Sequence, residues 1–204
     1  MTTPVVTPTT PGAQVVNLQA FAPWIGFCDP ARSTGTKSYR TCDSAIVICG
    51  QDAFGRVCVP VVWLDRGSTD RLIDMVFYLQ ETWQCQLFGF EKTGLPAMFL
   101  DAIQREARWA QRYLPLVPVD QPRSLDKLLR IQLRVAPLWT ANRLYFVPGD
   151  GTMQLVRQIL EFPSGSRIDA LDALSSALSL LAAPDHRQRL RGPLVAGSEA
   201  PAPA

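Results

Sequence analysis

The order of hydrophobic periods between Trp24 and Ala183 limits this chain more than any single motif does. Three strand-like runs come first: Trp24–Ala31 (WIGFCDPA), Ala45–Cys49 and Val57–Leu64. Gly50 to Gly55 has the composition of a hairpin loop, and Pro60 inside the third run implies an edge position or a bulge. From Ser68 the period changes. Leu72, Val76 and Leu79 recur at helical spacing behind Ser68 or Thr69 as a cap. Gln86–Lys92 is a further strand, and Leu95–Tyr113 a helix with Pro96 in its first turn, where proline is best tolerated. Leu114–Val119 is strand-like but interrupted by Pro115 and Pro118. Ser124–Trp139 is an amphipathic helix ended by Pro137, and Arg143–Pro148 a short strand. Met153–Phe162 is a helix stopped by Pro163, and Arg167–Ala183 is the last helix. Three antiparallel strands followed by β-α-β-α units define a mixed α/β layer architecture.

Composition sets the boundaries of this unit. A chain of 204 residues, 47% hydrophobic and 19% charged, builds one complete core. Residues 1–20 hold five threonines and three prolines in their first eleven positions, which favours a disordered Thr/Pro-rich arm. The domain is expected over 21–185, and 186–204 as a disordered C-terminal tail. One histidine, His186 at the edge of that tail, argues against His-rich zinc centres and against Ser-His-Asp or Cys-His catalysis. Cys28, Cys42, Cys49, Cys58 and Cys85 are odd in number and include no C-x-x-C pair, so they read as buried thiols in a reducing compartment. No run approaches the ~20 apolar residues of a membrane span, and Met1–Val16 lacks the pattern of a signal peptide. A cytoplasmic protein is expected.

Chemistry concentrates in carboxylates at element ends. Asp29 closes the first strand and Glu91 a later one; Asp169 opens the final helix, with Asp172 one turn on and on the same face. Leu171, Leu174, Leu178 and Leu181 supply a stripe that presses this helix onto a sheet. Each acid also has an ordinary structural reading: a turn residue before Pro30, a solvated strand end beside Lys92, and an S-x-x-D cap from Ser166. Carboxylates from separate segments repel unless a cation sits among them. Mg²⁺ and Mn²⁺ accept such oxygen ligands, and a pair of these ions hydrolyses phosphodiesters without histidine or cysteine.

The ordered set DPA, hairpin, FGFEK, basic helix and QILEFPSGSRIDALDALSSAL resembles the C-terminal nuclease domain of the large terminase subunit of tailed bacteriophages. The resemblance spans Trp24 to Ala183. It implies a ribonuclease-H-like fold, a mixed central sheet whose first three strands are antiparallel, flanked by helices. It also implies a metal-dependent endonuclease that cuts concatemeric viral DNA during packaging with two ions, Mg²⁺ or Mn²⁺. Carried over by motif, Asp29, Glu91 and Asp169 are the metal-binding catalytic acids and Asp172 an auxiliary ligand. The implied partners are double-stranded DNA, a terminase ATPase, the small terminase subunit and the portal, in the cytoplasm of a bacterial host.

The chain departs from that pattern in two ways. Ile168-Asp169 stands where the family commonly has paired aspartates. No G-x-x-x-x-G-K-[ST] loop is present, so a split-off or excised nuclease domain is expected, its ATPase either a separate chain or cut away. Arg123, Lys127, Arg130, Arg134 and Arg143 oppose a single acid, Asp126. Lys127, Arg130 and Arg134 form one helical stripe, offering a salt-sensitive, sequence-blind track for DNA phosphates or simply a solvated face. Two other functions remain open: a DNA-binding or motor-docking module with a degraded site, and a different ribonuclease-H-like nuclease such as a junction resolvase. The tryptophans Trp63, Trp83, Trp109 and Trp139 are scattered and read as packing residues.

Overall fold

The computed structural model describes residues 2–7, 10–31, 43–91, 96–119 and 126–182. Strands β1 (Thr2–Thr7) and β2 (Thr10–Asn17) precede a meander of β3 (Trp24–Asp29), β4 (Ser44–Gln51) and β5 (Val57–Asp65). Then follow α1 (Thr69–Trp83), β6 (Leu87–Glu91), α2 (Pro96–Trp109), β7 (Leu116–Val119), α3 (Lys127–Thr140), β8 (Leu144–Phe146), α4 (Asp150–Glu161) and α5 (Asp169–Ala182). All eight strands form one sheet in the order β2-β1-β8-β5-β4-β3-β6-β7. As the sequence predicts, β3, β4 and β5 are antiparallel, whereas β6 runs parallel to β3 and β7 parallel to β6.

Alternation along the strands divides the core in two. Ile46 and Ile48 of β4 and Phe88 and Phe90 of β6 pack with Leu72, Val76 and Phe77 of α1 and with Phe99 and Ile103 of α2. On the other face Phe27, Ala45, Val47 and Val59 meet α5, with Ile131 and Val135 of α3 and Leu155 of α4 closing over it. Helix α5 is therefore enclosed on nearly every side, and its residues Ala170 to Leu178 are all buried. Its sequence, with Ala, Ser and Leu right around the helix, suits that position better than a one-sided stripe would. The sheet admits it closely: a Cβ on Gly89 would lie 2.6 Å from both Leu180 and Phe27.

The local signals behave as expected at several points. The Ser68 hydroxyl caps α1 by accepting the Arg71 N–H. Pro60 lies where the β4–β5 register shifts and where β5 loses its second neighbour, since β8 pairs only with Val57 to Val59. The four described cysteines, Cys28, Cys49, Cys58 and Cys85, are buried free thiols, and burial pushes those of Cys58 and Cys85 up to about 12. Among the described residues no helix is long and apolar enough to cross a membrane.

Three expectations are corrected. Residues 1–20 are not a disordered arm over their described part: Thr2–Thr7 and Thr10–Asn17 pair as a ribbon, and Val6 adjoins Phe146 of β8. The threonines that read as low hydrophobicity are β-branched and, with the valines beside them, good strand formers, and Val5 is fully buried beside Phe21, Cys58 and Tyr145. Helix α3 runs on past Pro137 to Thr140. A proline there frees only the Leu133 carbonyl, which lies on an exposed part of the helix, and Ala141 N–H still closes the last turn on Pro137 O at 3.2 Å. Trp109 is not a packing residue, being 84% exposed. The expected tail 186–204, with His186, lies outside the described residues.

Candidate active site

The pleat decides which way the strand acids point. On β3, Ile25 and Phe27 belong to the core beneath α5 and Cys28 to the opposite one, so Asp29 emerges on the α5 side. On β6, Leu87 is on the α5 side and Phe88 and Phe90 on the other, which sends Glu91 toward α5 as well. Cys28 is in register with Phe90 on these parallel strands. Asp29 and Glu91 are thus the next residues on adjacent strands, about 5 Å apart between backbones, at the carboxyl ends where open α/β sheets receive ligands.

Helix α5 brings the other two acids to the same place. Asp169 and Asp172 both lie in its first turn. Asp169 is anchored by the Asp43 N–H, which donates to its Oδ2 at 3.2 Å from the segment just before β4. The Asp43 carboxylate in turn accepts from Arg66 Nε and, at 3.4 Å, from Arg167 Nη1. Ile168, standing where a second aspartate is common in the resembling family, is partly buried against the apolar core.

The electrostatics of the acids follow from this arrangement. Burial, then the neighbouring Asp172, then Glu91 and Asp169, push the Asp29 carboxyl up to about 7, and Lys127 opposes them. Asp169 is also raised, chiefly by burial, with the Asp43 N–H working the other way. Asp172 is treated differently. Its Oδ1 accepts from Arg130 Nη2 and its Oδ2 from Lys127 Nζ, both at 2.8 Å. Burial works against the Lys127 ammonium, but Asp172, with Asp29 and Asp169 behind it, holds its pKa above the ordinary value.

All four predicted acids, Asp29, Glu91, Asp169 and Asp172, therefore meet in one neighbourhood. The basic stripe takes an unexpected direction. Lys127, Arg130 and Arg134 turn inward along α5, Arg134 Nη1 donating to Ser175 O at 3.3 Å, while Leu129 and Leu133 of the same helix are exposed. Arg130 has a side chain only 8% exposed and is no solvated DNA track; Lys127 keeps 45% exposure. Arg123 lies outside the described residues. Sequence reading missed Asp43, Arg66 and Arg167. Asp43 stands two residues before Ala45, the partner of Asp29, and on the same side of the pleat, a register that no local sequence pattern announces.

Among the described residues no three His, Cys, Asp or Glu side chains are gathered closely enough to hold a metal ion as they stand. The donor set nevertheless fits a hard divalent cation by its chemistry. It offers only carboxylate oxygens, the ligands such an ion prefers, and Asp172, Glu91 and Asp169 add to the burial that chiefly raises Asp29.

No protein-family model matches the chain, and no curated protein matches its sequence. Among solved structures it is similar to the large terminase of bacteriophage HK97, at 15% identity and a TM-score of 0.52 over 76% of this chain and 38% of that one. It is also similar to the yeast mitochondrial Holliday junction resolvase Ydc2, at 14% identity and 0.49 over 82% and 80%. A third is the zinc-bound large terminase nuclease of the thermophilic phage G20c, at 16% identity and 0.49 over 77% and 81%. The fold is ribonuclease-H-like: a mixed sheet with β3, β4 and β5 antiparallel at its centre and helices on both faces. This chain spans about two fifths of the HK97 protein's length.

Proposed function

We propose that this chain is a divalent-metal-dependent DNA endonuclease of the phage large-terminase type, cutting concatemeric viral DNA during packaging. One observation carries the reading: acids from three separate segments converge at the carboxyl ends of β3 and β6, and Asp29 among them is pushed up to about 7. Asp29, Glu91 and Asp169 would hold the ion, Mg²⁺ or Mn²⁺. When bound, such an ion supplies an acidified water and positive charge for phosphodiester hydrolysis. The chain's own contributions are distinct. Asp43 fixes Asp169 through its backbone N–H, and the positive end of the α5 dipole favours negative charge, carboxylate or phosphate, at that turn. Lys127, half exposed beside the acids, meets a DNA phosphate; Arg130 and Arg134 hold α3 against α5.

In this role double-stranded DNA is the substrate, and a terminase ATPase, the small subunit and the portal are its partners in a host cytoplasm. The test is supercoiled plasmid with Mn²⁺ or Mg²⁺. Nicking or linearisation is expected, abolished by EDTA, by Asp29→Ala and by Asp169→Ala. Full activity in EDTA, or in both variants, would overturn the assignment. A second reading, a DNA-binding or motor-docking module without catalysis, is favoured by the saturation of Asp172 with two cations. Salt-sensitive binding with no cutting at any metal concentration would establish it. A strong preference for four-way junctions over linear duplex would move the assignment to a resolvase-like nuclease.

A further inference from the structure

Trp109 is the most exposed large hydrophobic side chain among the described residues, at 84%. It ends α2 and stands beside a groove of about 510 Å³ between α1 and α2. Ile73 of α1 and Ala102 of α2, both rooted in the core beneath, give the groove an apolar floor. Asp70 and Asp74, one turn apart on α1, and Glu106 on α2 bring three carboxylates to it, against the single guanidinium of Arg105. A second guanidinium nearby is already engaged. Arg112 Nε donates to Glu81 at 2.7 Å, and the guanidinium lies 4.6 Å from the centre of the Phe77 ring. The hydrogen bond to Glu81 raises the Arg112 pKa, and Glu106 and Asp74 add to that, so the carboxylates of the groove act on a cation that comes near them.

Its position separates this groove from the acids of β3 and β6. Helices α1 and α2 cover the face of the sheet opposite α5, so an occupant leaves Asp29 and Asp169 open. Three carboxylates against one guanidinium also repel a phosphate backbone. A cationic protein segment suits both conditions. A guanidinium stacks flat on an indole and forks onto carboxylates, which a compact ammonium does not do. Tryptophan is also among the side chains that most often anchor protein interfaces. We propose that the groove between α1 and α2 docks an arginine-bearing segment of a partner protein. The guanidinium stacks on Trp109 and meets Asp74 and Glu106, while an adjoining apolar side chain rests on Ile73 and Ala102. This docking does not depend on an ion at the acids across the sheet.

The test uses the full chain and a short synthetic peptide with an arginine on either side of a leucine. Calorimetry reads the affinity, and the Trp109 indole N–H resonance, assigned through Trp109→Phe, reads the location. Saturable binding that moves this resonance is expected, weakening as NaCl is raised and falling about tenfold in Asp74→Asn/Glu106→Gln. Asp74 is exposed and Glu106 partly so, and circular dichroism verifies that the variant folds. The salt series on the wild type decides the matter where the variant does not fold. A peptide with glutamate in place of arginine should not bind. Binding that leaves the indole resonance unmoved, equal binding of the glutamate peptide, or indifference to salt and to the substitutions would each overturn the proposal. A short DNA duplex that shifts the resonance would overturn it in favour of a nucleic-acid surface. A shift on raising the protein concentration alone would overturn it in favour of a second copy of this chain.

Discussion

At the scale of single residues, Asp29 is the group whose environment departs furthest from that of a surface acid. Its ordinary value is 3.8, and burial with Asp172, Glu91 and Asp169 nearby lifts it to about 7 in the folded chain. The sign of the linkage follows. Between about pH 4 and pH 7 the folded state keeps a proton that the unfolded state has released, so stability falls as pH rises through that window. The contribution is fully present below pH 4 and gone above about 7. In metal-free buffer the urea midpoint should therefore decline from pH 5 to pH 8 in the wild type, and the decline should flatten in Asp29→Asn. An equal slope in both proteins would mean that Asp29 ionises as freely folded as unfolded. If the site holds a divalent ion as proposed, adding Mn²⁺ at pH 8 should restore the lost stability in the wild type alone, because such an ion would bind only the folded, ionised site.

At the scale of elements, the seam between α3 and α5 determines how the site is assembled. Arg130 is buried on Asp172, whereas Lys127 reaches the same carboxylate from a side chain 45% exposed. Removing one partner of a buried pair leaves the other charge uncompensated and costs about 3–5 kcal/mol. Removing a half-exposed partner costs about 1 kcal/mol or less. Arg130→Ala should accordingly lower stability several-fold more than Lys127→Ala in urea denaturation, and equal losses would show that the seam does not depend on the buried guanidinium. The same seam marks the limit of what the sequence made legible. The strand and helix order was readable because the period switches cleanly from 2 to 3.6, and Asp29, Glu91, Asp169 and Asp172 stood out because each ends or begins an element. The direction of α3 was not. Its leucines and its basic residues both recur at helical spacing, and the buried Asp172 that draws the basic row inward belongs to a segment 42 residues away from Arg130. The ribbon of β1 and β2 was missed for a related reason. Threonine and proline lower mean hydropathy, but strand formation in Thr2–Thr7 depends on an open edge at β8, which local composition does not reveal.

At the scale of the whole molecule, the sheet divides its labour along its width. The acids are carried by β3 and β6, the N-terminus of α5 and the start of β4. The strands β8, β1 and β2 extend the opposite side beyond β5. From β3 to β1 is four strand spacings, about 19 Å, so the ribbon cannot touch the acids directly. What it does is cover the edge of β8 and bury Val5 with Phe21, Cys58 and Tyr145 in a third, smaller core. Losing Val5 alone removes about 1.5–3 kcal/mol of burial, and the bared β8 presents unpaired backbone groups to solvent. A chain lacking residues 1–17 should thus melt several degrees lower and associate more readily at high concentration, while any Mn²⁺ binding and plasmid cutting of the intact protein, as proposed above, should persist below its melting point. Thermal melting, light scattering and a Mn²⁺ titration read these separately. If the shortened chain kept its circular dichroism spectrum but lost the Mn²⁺ binding proposed for the intact one, the ribbon would be setting the position of β3 through β5 and β4, and the division between the half of the sheet that carries the acids and a supporting half would not hold.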